Sequence, residues 1–159
     1  MSIPIRRVYW DTTVFLSYVN QESEPERHRI CEHILKKAQI GQVITCTSTF
    51  TIAEVIRPKG VQASALTAEE VHKLEGMFHW HWIKKYQVDE TMGFSSARIS
   101  RQTNLKPADS IHVATALFCG ADVLHAWDRD FSKASTLVRV ERPAFMDDLP
   151  LIHGDQDQD

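Results

Sequence analysis

The chain has 159 residues, of which 43% are hydrophobic and 25% charged, a composition suited to one folded domain with a sizeable core and no need of disulfides. No apolar run approaches the ~20 residues that cross a bilayer, and the opening Met-Ser-Ile-Pro-Ile-Arg-Arg lacks the apolar stretch of a secretory signal, so a cytoplasmic protein without a membrane partner is expected. The net charge of −3 argues against bulk attraction to nucleic acid, but not against a nuclease whose pocket is acidic and whose phosphate grip is local.

Residues 5–10 include Val8, Tyr9 and Trp10 and predict a short buried strand ending at Asp11, followed by a first helix from Val14 to Val19. Glu22 to Pro25 is a polar break. Glu26 to Ile40 is amphipathic at helical spacing, with Gly41 as its stop signal. Val43 to Thr47 is rich in β-branched residues and predicts a second strand. Ser48 or Thr49 then caps a helix through Val55, closed by Pro58 and Gly60. After a loop, Thr67 and Glu70 have the spacing of a capping box for a helix running toward His81. Residues 83–88 predict a short strand, and Asp89 or Thr91 opens a helix that ends near Asn104. Pro107 suits the first turn of a helix over 108–119, with Gly120 at its exit. Residues 122–127 predict a third clear strand leading into Asp128, and Leu137 to Val140 a last one.

Strands alternating with helices imply a three-layer α/β/α sandwich with a mainly parallel central sheet over residues 1–150. The polar segment 151–159 is expected to be a flexible tail. Cys31, Cys46 and Cys119, odd in number and without a CxxC pair, read as buried free thiols. The run Met77-Phe78-His79-Trp80-His81-Trp82 reads as core or dimer packing, and Lys36-Lys37 as a solvated face.

Asp11, Glu54, Asp109 and Asp128 stand out because each lies in an apolar neighbourhood, where an ion is costly unless something compensates it. Each has a plainer explanation: a helix cap or turn for Asp11 and Asp128, the helix dipole for Asp109, a partly exposed helix face for Glu54. One shared cause accounts for all four, a hard cation that relieves the repulsion among gathered carboxylates. Mg²⁺ or Mn²⁺ prefers such oxygen donors, and zinc-type His and Cys spacing is absent from this set. Asp11 and Asp128 each follow a buried strand, and sites in open α/β sheets form at the carboxyl ends of strands. His112, one turn after Asp109, reads more simply as a hydrogen-bonded core residue than as part of a site.

The stretches Val8 to Leu16, Ser48 to Val55, Leu105 to Ala116 and Val123 to Phe131, in this order and spacing, resemble the PIN-domain family, and within it the VapC-type toxins of toxin–antitoxin pairs. The resemblance implies that Asp11, Glu54, Asp109 and Asp128 bind Mg²⁺ or Mn²⁺, with Asp130 at an additional acidic position and Thr12 as a hydroxyl that orients a ligand or water. Ala126 departs from the pattern, since members often carry Thr or Ser two residues before the last aspartate. The implied chemistry is hydrolysis of an RNA phosphodiester by water activated on the ion, leaving a 5′-phosphate and a 3′-hydroxyl. A homodimer and a cognate antitoxin that blocks the site are implied as well. Among Arg57, Lys59, Arg98, Arg101, Lys106 and Arg129, the better candidates for phosphate contacts are Arg57, just after the Glu54 helix, and Arg129, between two aspartates. Two competing functions are compatible with the sequence. One is a receiver or phosphatase, although the Asp-x-Asp spacing of the latter is here Asp11-Thr12-Thr13; the other is a non-catalytic binding domain of the same fold.

Overall fold

The computed structural model describes residues 5–56 and 66–146. The loop expected after Pro58, the polar tail, and Arg57 and Lys59 lie outside them. Among the described residues, five strands form one sheet: β1 (Arg6–Trp10), β2 (Val43–Ser48), β3 (Ile83–Tyr86), β4 (Val123–His125) and β5 (Val140–Glu141). Their spatial order is β3-β2-β1-β4-β5, and every pairing is parallel, with Val8 opposite both Thr45 and Val123. The expected α/β sandwich is therefore observed, on an all-parallel sheet.

Alternation along the strands sorts the core into two halves. Val8 and Trp10 of β1 point to one face and meet α1 (Thr12–Val19), α2 (Pro25–Gln39) and α4 (Ala68–Phe78) through Phe15, Ile34 and Leu74. Tyr9 points to the other and meets α5 (Glu90–Thr103) and α6 (Pro107–Phe118) through Ile99 and Val113. The period-two geometry of a strand buried on both faces requires this division. The three cysteines are free and buried, as expected.

The caps follow local chemistry. Ser48 caps the short helix α3 (Thr49–Val55), Asp89 caps α5, and the Thr67–Glu70 capping box opens α4 with both of its hydrogen bonds present. Asn104, at φ 58, closes α5 in the left-handed conformation that asparagine tolerates.

Several boundaries differ from expectation. Helix α1 begins at Thr12, because Asp11 caps it directly. Helix α4 stops at Phe78 rather than running to His81, and Trp80 and Trp82 stack at 4.9 Å against the core instead. β4 shrinks to three residues, and the segment after it, Arg129–Ala134, is a 3₁₀ helix. The last strand lies at Val140–Glu141, since Leu137 and Val138 bond back to Ala134. Lys36 and Lys37 also part ways. Lys36 pairs with Glu32 at 3.5 Å, whereas Lys37 is buried and donates to Gln42 Oε1 at 3.3 Å.

The chain reverses its direction of travel across the sheet at β1, going first to β2 and β3 and later to β4 and β5. That makes the gap beyond the carboxyl ends of β1 and β4 the switch point, where ligands bind in folds of this kind.

Candidate active site

Asp11 stands at that switch point. Its Oδ1 accepts from Thr13 Oγ1 at 2.7 Å and from the Val14 amide at 3.2 Å, which fixes the carboxylate as the cap of α1. It is only 2% exposed. Burial pushes its carboxyl up to about 6; His112, Thr13 and Val14 oppose the rise, and the negative charge of Asp109 adds to it.

Asp109 comes from the first turn of α6, which Pro107 starts. Burial raises its carboxyl above the ordinary range, His112 opposes this, and Asp128 and Glu54 raise it further. Asp128 is exposed and caps the 3₁₀ helix, accepting from the Asp130 amide at 2.9 Å. Glu54, in the last turn of α3, accepts at Oε2 from Thr12 Oγ1 at 2.5 Å and from His112 Nε2 at 2.6 Å.

The structure thus brings Asp11, Glu54, Asp109 and Asp128 into one electrostatic neighbourhood centred on Asp109, although they come from four separate segments. They do not form a closed chelate. Among the described residues, no group of three or more His, Cys, Asp or Glu side chains is arranged to hold a metal ion. Like charges keep such carboxylates apart, and Glu54 turns its oxygen to two protein donors. The donor set still suits a hard divalent cation, because all four groups offer carboxylate oxygen and two of them are held above the ordinary carboxylate range, chiefly by burial and further by a neighbour's charge.

The other expected residues divide. Thr12 is buried, and its hydroxyl is directed to Glu54. Asp130 faces Lys133 at 3.4 Å and is not among the main influences on Asp109. Arg129 is exposed beside Asp128. Arg57 is outside the described residues.

His112 is the main addition to the expected set. It is 2% exposed and enclosed by the rings of Tyr9, Phe50 and Phe131, with centroids 5.9, 5.8 and 6.3 Å away. Its Nδ1 lies 2.8 Å from Tyr9 Oη, and its Nε2 meets Glu54. It is both a hydrogen-bonded core histidine and a neighbour of the acids, two roles that the sequence set against each other. Its spacing from Asp109 was the available signal; Tyr9 gave none.

The PIN-domain family matches residues 8–137, from the first strand to just beyond the 3₁₀ helix. The chain belongs to the PIN-domain family. PIN domains are typically metal-dependent nucleases. Among solved structures, this PIN domain is similar to VapC20 of Mycobacterium tuberculosis, described as a sarcin-ricin loop cleaving toxin. The TM-score is 0.64 at 14% identity, over 84% of this chain and 98% of that one. It is also similar to FitAcB from Neisseria gonorrhoeae, with TM-score 0.59 at 17% identity, over 86% and 97%. FitAB bound to an IR36 DNA fragment gives TM-score 0.56 at 18% identity, over 91% and 99%. At these identities the likeness is one of fold. No curated protein matches the chain by sequence.

Proposed function

We propose that this PIN domain is a divalent-metal-dependent endoribonuclease and the toxin of a toxin–antitoxin pair. The observation that carries the proposal is that the charge of Asp109 bears on buried Asp11, and those of Asp128 and Glu54 on Asp109, with Asp11 at the switch point of a parallel sheet. Such an arrangement costs stability and is relieved by a bound cation. Asp11, Glu54, Asp109 and Asp128 would hold Mg²⁺ or Mn²⁺, with Asp130 as an outer acidic group. When bound, the ion acts as a Lewis acid toward the phosphodiester and lowers the pKa of water.

The protein's own groups do the positioning. Thr13 and the Val14 amide fix Asp11, while Thr12 and His112 fix Glu54. Arg129, with its exposed charge beside the acids, takes a backbone phosphate, and Arg57 keeps the same assignment from its place after α3. An acidic pocket with few basic residues suits single-stranded or looped RNA better than smooth duplex, which accords with the looped target named for VapC20. Residues 1–150 form the working unit. A homodimer, a cognate antitoxin that covers the carboxylates, and a cytoplasmic location complete the proposal; among the described residues, no helix is long and apolar enough to cross a membrane.

The deciding experiment is cleavage of an RNA pool with Mg²⁺, Mn²⁺ or EDTA, comparing wild type with Asp11→Asn and Asp109→Asn. Cleavage that depends on the metal and is lost in both variants is expected. Undiminished cleavage in either variant, or in EDTA, refutes the assignment.

A further inference from the structure

Glu54 is poorly placed to hold its own position. It sits at the end of a seven-residue helix, its side chain is 26% exposed, and three rotatable bonds separate its carboxylate from the backbone. Ordering such a side chain costs rotamer freedom. His112 is its opposite, since it projects from the twelve-residue helix α6, is buried, and is enclosed by three aromatic rings.

From these contacts we infer that His112 is a positioning residue for the metal site: the chain Tyr9 Oη–His112–Glu54 aims the Glu54 carboxylate at the ion. The inference rests on the metal-dependent reading above. The order of hydrogens follows from the partners. An ionised carboxylate only accepts, so His112 Nε2 carries the hydrogen given to Glu54 at 2.6 Å. Nδ1 meets Tyr9 Oη at 2.8 Å, so both ring nitrogens are engaged and the ring cannot turn without breaking a hydrogen bond. Thr12 supplies a second donor to the same Glu54 oxygen and lies 3.3 Å from His112 Nε2, so one carboxylate oxygen is held from two directions. Tyr9 comes from β1, directly before the strand residue that leads to Asp11. The same relay therefore ties the spacing of Glu54 from Asp11 to the centre of the sheet. Partners of this outer kind change metal affinity roughly 10–100-fold when removed.

The test is Mn²⁺ binding to the full chain by isothermal titration calorimetry, alongside melting without metal. His112→Leu keeps bulk and removes the donor; His112→Gln places an amide nitrogen where Nε2 stood; Tyr9→Phe removes only the hydroxyl. The expected result is Mn²⁺ affinity about 10-fold or more weaker in His112→Leu, within about 3-fold of wild type in His112→Gln, and intermediate in Tyr9→Phe. Wild-type affinity in His112→Leu overturns the positioning role while leaving the nuclease proposal standing. Equal losses in the Leu and Gln variants also overturn it, because packing and not the donated hydrogen would then be what matters. If His112→Leu fails to fold, Tyr9→Phe decides, and unchanged affinity there overturns the relay. A wild-type chain that binds no Mn²⁺ removes this inference and the metal-dependent reading together.

Discussion

Asp11→Asn should make the protein more stable while abolishing its activity. The carboxyl is 2% exposed and is pushed from 3.8 up to about 6, mainly by burial. A shift of that size corresponds to about 3 kcal/mol of destabilisation at neutral pH when no cation is bound. Asparagine keeps an oxygen for Thr13 Oγ1 and the Val14 amide, so the cap of α1 survives. The variant should therefore melt up to roughly 10 °C higher than wild type in EDTA. The pH dependence gives a second measure. A raised carboxyl makes the folded state bind its proton more tightly than the unfolded state does, so wild-type stability falls as pH rises from 3.8 through about 6. That slope should be missing from the variant. Added Mn²⁺ should raise the melting temperature of wild type and leave Asp11→Asn unmoved. The assay is thermal unfolding by circular dichroism across pH, with and without Mn²⁺. An Asp11→Asn protein that melts at or below wild type in EDTA, with the wild-type pH slope, refutes the argument that this carboxylate is held at a cost.

Three further outcomes are expected. Asp128→Asn should lower initial cleavage rates roughly 100-fold or more, whereas Asp130→Ala should stay within about 3-fold, because Asp130 faces Lys133; equal losses would place both in the metal set. Arg129→Ala should raise KM with little change in kcat and flatten the dependence of log affinity on log salt by about 0.7 for a single strand; an unchanged slope means its charge is merely solvated. His125 is buried and pushed down to about 4 from 6.5, so the folded state keeps it neutral while the unfolded state takes a proton. Its burial should cost about 3 kcal/mol of stability as pH falls from 6.5 to 4. Urea melts at pH 4.5 and 7 should show a smaller acid loss in His125→Gln, and equal losses would show that this histidine is not the acid-sensitive group.

The parts of the fold that local chemistry determines were legible in the sequence. Val8-Tyr9-Trp10, the Thr67–Glu70 box, Asn104 and Pro107 each carry their signal within a few residues, and each lies where it was expected. Tertiary packing decided the rest. The run through Trp82 has helical content, yet Trp80 and Trp82 gain more by stacking on the core than by extending α4. In Arg129–Ala134 only Phe131 and Ala134 are buried, too short a pattern to reveal a 3₁₀ turn. Leu137 and Val138 look like strand because they are apolar, but they fill the space behind Ala134 without joining the ladder. At the site the acids were visible because charge is conspicuous among apolar neighbours. The relay behind Glu54 was not, since its two hydrogen bonds span 103 and 58 residues and leave no local trace.

The central position of β1 also has a consequence for biosynthesis. β1 is synthesised before β2 and pairs with it at Arg6 with Val43, but its other edge has no partner until Val123 arrives. A nascent or prematurely terminated chain ending before that point carries Asp11 and Glu54 without Asp128, and an open strand edge in the middle of its sheet. Such fragments would therefore combine an unpaired strand edge, which invites aggregation, with an incomplete set of the acidic residues, and the four acids can gather only after β4 has joined the sheet.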